Sequence, residues 1–210
     1  MERDRAGGAA GRFVVLEGCD GCGKSTQVAR LVRRLESLGH DVVATFEPGA
    51  TELGNTLRGL LLGGEIVPGA RAEALLMAAD RAQHVDEVVR PALARGAWVV
   101  SDRFVGSSLA YQGGARGLGV EAIAAVNAFA TAGVSPDLVV YLSAPLKVLA
   151  ARRRGRSDRI EGEGDAFLAA VADAYDVLAR DLGWAIVDAR ADADRVERAV
   201  WNAVREATGP

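Results

Sequence analysis

The sequence predicts a three-layer α/β sandwich, with a five-stranded parallel sheet carrying helices on both faces. Short apolar runs alternate with helical patterns along the whole chain, the order in which parallel sheets are built. The runs read as strands buried on both faces, Phe13-Val14-Val15-Leu16 being the first. Between that run and the first helical pattern lies Gly18-Cys19-Asp20-Gly21-Cys22-Gly23-Lys24-Ser25, which fits G-x-x-x-x-G-K-[ST]. Strand, glycine loop and helix in succession make a phosphate cradle: glycines let backbone N–H groups converge on phosphate oxygens, and the helix N-terminus adds positive charge. The pattern makes the chain a nucleoside triphosphate binder of the P-loop NTPase type. Lys24 is expected to reach the terminal phosphates, and the Ser25 hydroxyl to sit on Mg²⁺.

Taken in order, the strands are expected at 13–17, 41–46, 97–102, 138–142 and 185–188. Val28, Leu31, Val32, Leu35 and Leu38 recur at helical spacing, and Gly39 supplies a stop. Further helices are expected at 52–62, 70–95, 120–132, 145–154, 163–182 and 192–207. Pro91 should kink or end the long middle helix near Val89-Arg90. Glycines at 63–64, 113–119 and 162–164 mark connections or mobile segments. Residues 1–11 read as a disordered tail and 12–210 as one domain.

The chain has 210 residues and a formal net charge of -3, which argues against a general nucleic-acid binder. No run is long enough to span a bilayer, and the polar N-terminus lacks the apolar core of a signal peptide, so a cytoplasmic address is expected. Cys19 and Cys22 are the only cysteines. A redox pair or half a zinc site is the sharp reading; small side chains filling variable loop positions is the plain one. With only His40 and His84 to add, a four-ligand zinc site is hard to complete.

Ligands in such a sheet collect at the carboxyl ends of the strands. The first end delivers Glu17 and the phosphate loop, the second Glu47-Pro48-Gly49, the third Asp102-Arg103-Phe104. Asp102 suits a ligand of Mg²⁺ or of its water shell, with helix capping as the alternative. Arg103 could grip an acceptor phosphate by a two-pronged contact. Residues 152–159 hold five arginines in eight positions. A solvated helix end, a nucleic-acid patch and a mobile lid bringing arginines to a transferring phosphoryl group compete there; the phosphate loop favours the lid, at about 152–164. His84, Trp98 and Trp201 read as packing or helix-surface residues.

Together, Phe13 to Thr26, Glu47-Pro48-Gly49, Asp80-Arg81, Asp102-Arg103-Phe104, Ser107-Ser108-Leu109-Ala110-Tyr111-Gln112-Gly113 and Asp158-Arg159-Ile160-Glu161 resemble the thymidylate kinase family, in the same order and over nearly the whole chain. The resemblance implies a nucleoside monophosphate kinase-like fold, Mg²⁺ as cofactor, and transfer of the γ-phosphoryl of ATP to dTMP. It implies that ATP is bound by Gly18 through Thr26 and by Arg159. It implies that dTMP is bound by Asp20, Glu47, Pro48, Met77, Arg81, Arg103, Ser107, Ser108, Tyr111 and Gln112. Ser108 lies where the base edge is read, and Tyr111 where a ring under the sugar disfavours a ribose 2′-hydroxyl. Lys24, Asp20, Arg103, Arg152 and Arg154 would do the catalytic work, the last two from the lid, as in the bacterial subtype whose phosphate loop has no arginine. A homodimer formed through helices is implied as well.

Two positions depart from the family pattern. Phe46 stands where an arginine often precedes Glu-Pro-Gly, and Met77 where an aromatic residue commonly stacks on thymine. Other functions compete from outside the pattern: a kinase for another acceptor, a nucleotide switch or partition-type ATPase, or a dead binding module. The Ser-Ser-x-Ala-Tyr-Gln-Gly stretch, the lack of an Asn-Lys-x-Asp motif and the intact Lys24-Ser25 weigh against these in turn.

Overall fold

The computed structural model describes residues 11–63, 65–152 and 159–209. Its sheet has five parallel strands in the order β2-β3-β1-β4-β5: β1 Arg12–Glu17, β2 Val42–Phe46, β3 Trp98–Asp102, β4 Leu138–Ser143 and β5 Ala185–Asp188. All five predicted strands form, within a residue or so of their expected ends. Side chains alternate across the pleat, so β1 feeds two cores at once. Val14 and Leu16 join Val100, Val140 and Leu142 in one apolar cluster, while Phe13 and Val15 join Val99 in the other.

Helices close both faces. Val28, Leu31 and Leu35 of α1 (Lys24–Ser37) pack on the first cluster with Val196, Val200 and Val204 of α9 (Ala193–Thr208). On the other face Val85, Val89 and Ala92 close the second cluster, in the stretch that follows α2 (Glu52–Leu62) and α3 (Ala70–His84). Beyond α3 the chain winds through a π-helical turn, Val85–Val89, into α4 (Arg90–Ala94). Pro91 explains this turn. A proline has no N–H to donate and its ring crowds the carbonyl four residues back. The sequence predicts a kink or an end near Val89-Arg90; the helix does not end there but widens by one residue, with Arg90 N–H bonding to the Val85 carbonyl.

The stretch after β3 departs from expectation. Residues 113–119 read as a glycine-rich connection; residues 116–119 are one, but α5 (Val105–Ser108) runs straight into a π-helical segment, Leu109–Ala115, which takes in Gly113 and Gly114. Gly113 and Gly114 serve packing. A Cβ on Gly114 would lie 2.6 Å from the Ala174 Cβ of α8 (Asp165–Asp181), reached through α6 (Val120–Thr131) and α7 (Leu146–Arg152). No helix among the described residues is long and apolar enough to cross a membrane.

Candidate active site

The order 2-3-1-4-5 places β1 between β3 and β4, so the loops after β1 and β3 open beside each other. Leu16 pairs with Asp102, and Phe46 with Asp102 from the other side, which sets three strand ends level. Beyond them the Arg103 N–H donates to the Leu16 carbonyl at 3.0 Å, and the Glu47 N–H to the Asp102 carbonyl at 3.1 Å. These strand ends carry the site.

The phosphate loop needs its glycines. Gly18 has φ 142°, and a Cβ there would sit 2.8 Å from the Leu142 carbonyl oxygen. Gly23, at φ 95°, leads into α1, whose first turn has neither a capping side chain nor an acid. Its N–H groups are thus left to an anion. Lys24 Nζ donates to the carbonyls of Gly18 (2.9 Å) and Cys19 (3.1 Å), and lies 3.6 Å from Asp20. Ser25 Oγ donates to Asp102 Oδ2 at 2.6 Å. Cys19 and Cys22 are buried in the core, and burial pushes the Cys19 thiol up to about 12, so it stays protonated and inert at neutral pH. No cluster of three potential metal ligands occurs among the described residues.

Arg103 is the hub. One guanidinium nitrogen donates to Asp20 at 2.5 Å; the other donates to Ser107 Oγ (3.0 Å) and Tyr175 Oη (3.3 Å). Tyr111 Oη donates to the second oxygen of Asp20 at 3.3 Å. Burial acts to raise the Asp20 pKa, but Arg103 and Lys24 outweigh it and hold the carboxyl well below the usual range. Beneath Arg103 lies Glu17, fully buried. It accepts from the N–H groups of Phe104 (2.9 Å) and Ser107 (3.0 Å) and from the hydroxyls of Ser107 (2.7 Å) and Tyr175 (2.9 Å). That carboxyl, raised by burial against these bonds, fixes the turn that aims Arg103.

A second network holds the loop after β2. Arg81 donates to Glu47 Oε2 (2.9 Å), Ser108 Oγ (2.9 Å), the Phe104 carbonyl (2.9 Å) and Asn127 Oδ1. His84, read from sequence as a packing or surface residue, is fully buried and bridges Glu47 Oε1 (2.7 Å) and Thr45 Oγ1 (2.6 Å). Asp80 accepts from the Gly49 N–H at 2.9 Å, while its Oδ2 is buried with no hydrogen-bond partner among the described residues. Burial, then the nearby Glu47, raises the Asp80 pKa to about 6. A carboxyl raised on folding binds more protons in the folded than in the unfolded state between about pH 4 and 6, so its contribution to stability falls as pH rises through that window. Asp80→Asn removes the ionisation and keeps an oxygen for Gly49. The Tm difference between variant and wild type, followed by thermal unfolding from pH 4.5 to 7.5, is expected to move in the variant's favour by several degrees, since ~1 kcal/mol is about 2–4 °C at this size. A pH-independent difference would show that Asp80 does not titrate there.

Two clefts open over these networks. One is lined by the phosphate loop with Asp102 and Arg152; the other by Pro48, Met77, Arg81, Ser107, Ser108, Tyr111 and Gln112. Asp20, Glu47, Arg58 and Arg103 line both. The structure gathers the site residues read from sequence along these clefts, except Gly18 and the buried Cys19 and Cys22 of the phosphate loop, Arg154 and Arg159. Arg154 lies outside the described residues. Arg159 sits away from the phosphate loop, donating to the Leu61 carbonyl at 2.8 Å and pairing with Glu73 and Glu163.

Arg58 is the site residue the sequence reading lacked. It donates to the Pro48 carbonyl at 2.7 Å, with its guanidinium over the Phe46 ring at 6.0 Å. Its only signal was an arginine one turn before the end of a helix that follows the second strand end.

The thymidylate kinase family model matches residues 16–200. The chain belongs to the thymidylate kinase family. Proteins called thymidylate kinase are similar to it over almost their whole length. That of Synechococcus sp. (strain CC9902) is 49% identical over 204 residues, covering 93% of this chain and 98% of that protein. That of Parasynechococcus marenigrum (strain WH8102) is 46% identical over 199 residues, covering 91% and 95%. That of Prochlorococcus marinus (strain MIT 9313) is 46% identical over 209 residues, covering 96% and 97%. The thymidylate kinase family model begins at the end of β1 and reaches into α9, so all five strand ends that build the two clefts lie within it.

Proposed function

We propose that the chain is an ATP-dependent kinase that transfers the γ-phosphoryl group of ATP to dTMP, giving dTDP and ADP for dTTP synthesis. The observation that carries this reading is the shared wall of the two clefts: Asp20, Glu47, Arg58 and Arg103 face both the phosphate cradle and the smaller, partly apolar pocket. A donor phosphate in one and an acceptor phosphate in the other would meet there.

Little covalent chemistry is required of the protein. The acceptor phosphate is already ionised at neutral pH, so alignment and charge neutralisation do the work. Lys24 supports the β- and γ-phosphates, and Arg103, held by Asp20 and Glu17, grips the acceptor phosphate. Arg58 supplies the cation that Phe46 does not. Tyr111 packs under the sugar, Met77 lies against the base, and Ser108, held by Arg81, offers its hydroxyl to the base edge. Ser25 and Asp102 suit Mg²⁺, a hard cation content with one hydroxyl, one carboxylate, water and phosphate oxygens. When bound, Mg²⁺ would offset charge on the triphosphate oxygens. The lid of residues 152–164 with Arg154, the single domain of residues 12–210 and the cytoplasmic address belong to the proposal as well, as does the homodimer that the family resemblance implies. Arg152 lines the phosphate cleft and donates to the Ala189 carbonyl at 2.6 Å.

The test is an ADP-release assay with ATP and Mg²⁺ against dTMP, dUMP, UMP, dCMP, AMP and GMP. Preference for dTMP with UMP far behind dUMP is expected. Preference for another monophosphate would discard the acceptor, and hydrolysis without acceptor dependence would discard the kinase.

A further inference from the structure

Glu73 and Arg116 tie Gln112 and Arg159 into one cluster, and neither of the first two has a part in the function proposed above. Glu73 is fully buried on α3 and lines neither cleft. Its Oε1 accepts from Gln112 Nε2 (2.9 Å) and Arg116 Nε (3.2 Å); its Oε2 accepts from Arg116 (3.0 Å) and Arg159. Every partner is a donor. Burial raises the Glu73 pKa, but Arg116, Gln112 and Arg159 together carry it below its usual value, so the group is an ionised, acceptor-only carboxylate.

An amide facing such a carboxylate can present only its NH₂. Gln112 lines the acceptor pocket with Met77, Arg81 and Ser108. With Nε2 committed to Glu73, the carbonyl oxygen Oε1 is the amide atom left for a ligand, and no described residue donates to it. From its place inside the cluster, we infer that Glu73 sets the pyrimidine selectivity of the acceptor site by fixing which end of the Gln112 amide faces the base. This rests on the dTMP reading above. Thymine and uracil carry an N3–H donor beside the O4 acceptor. Cytosine has a bare N3 acceptor beside an amino donor. An acceptor at Gln112 and the Ser108 hydroxyl, which accepts from Arg81 and keeps its own proton to donate, match the first pattern and oppose the second at both atoms. Glu73 is thus a positioning residue: it touches no substrate and acts through Gln112.

Glu73→Gln tests it, because a second amide can donate as well as accept and lets Gln112 turn over. The readout is the ratio of kcat/KM for dTMP to that for dCMP. In Glu73→Gln it is expected to fall about tenfold or more, through a higher KM for dTMP and a gain on dCMP. Arg116→Gln breaks the same ion cluster without touching the amide and should keep the wild-type ratio. If loss of the buried carboxylate leaves its arginines uncompensated and prevents folding, the same comparison is made between Arg116→Gln and the double variant Glu73→Gln/Arg116→Gln. A folded Glu73→Gln with an unchanged ratio, beside a wild type that prefers dTMP, overturns this inference alone. So does an Arg116→Gln that loses the ratio to the same extent. A wild type indifferent to dTMP overturns the functional reading and this one with it.

Discussion

Lys24→Ala is expected to lower kcat by about 10²–10³ at saturating ATP and dTMP, the usual cost of removing one preorganised charge from a transferring group. The expectation has a structural basis beyond the motif. Lys24 is buried, and its ammonium is already within the loop, bonded to the Gly18 and Cys19 carbonyls. It needs little reordering to meet a phosphate. Because those carbonyl bonds also hold the loop shape, alanine could act by loosening the loop. Lys24→Met keeps the apolar stem and loses the ammonium, so it separates lost packing from the joint loss of the charge and its two carbonyl bonds. Both variants should keep native circular dichroism, and Met should be as inactive as Ala. Turnover near wild type in either variant would remove Lys24 from its role.

How far the sequence foretold this site follows from what kind of signal each part leaves. The strand ends and the phosphate loop were legible because local chemistry decides them: apolar runs, turn glycines, and a lysine–serine pair that no packing need explains. The helical course of residues 105–115 was not, because glycines are read as breakers. Gly114 is there to let α8 come close, a tertiary demand that local pattern does not reveal. The long helix through Pro91 survived for a similar reason, one π turn absorbing the missing N–H.

Buried polar positioning groups were the hardest to see. Glu73, Met77, Asp80-Arg81 and His84 recur every three to four residues, so they share one face of α3. A polar stripe usually means a solvated face, and here it faces inward, onto Glu47 and Gln112. The sign that could have exposed it is the opposite stripe, where Leu75 lies open to solvent. Arg159 illustrates the converse. Its motif suggested a phosphate ligand, while its position in the cluster with Glu73 is set by contacts that link α2, α3 and the segment before α8, which sequence order alone does not bring together.

Arg103→Lys carries the second large effect. The guanidinium binds Asp20 with one nitrogen and Ser107 and Tyr175 with the other, a fork that an ammonium cannot reproduce. Its backbone is also unusual: φ is 75°, a left-handed conformation that costs a non-glycine residue about 1–3 kcal/mol. The Leu16 carbonyl, which accepts from Arg103 N–H, and Ser101 Oγ, which donates to the Arg103 carbonyl at 2.7 Å, hold it there. Lysine inherits that backbone cost without the fork. Asp20 then loses the oriented guanidinium that most depresses its pKa, and a shorter, misplaced ammonium leaves it facing an incoming phosphate with less compensation. For dTMP, kcat/KM is expected to fall about 10²-fold, the order lost when an oriented charge contact is misplaced. Because the phosphate is common to both acceptors, dUMP should fall by the same factor, leaving the dTMP-to-dUMP ratio unchanged. The ATP KM should move much less. A drop confined to dTMP would assign Arg103 to the base instead of the phosphate, and an unaltered kcat/KM would release the acceptor phosphate to Arg58 alone.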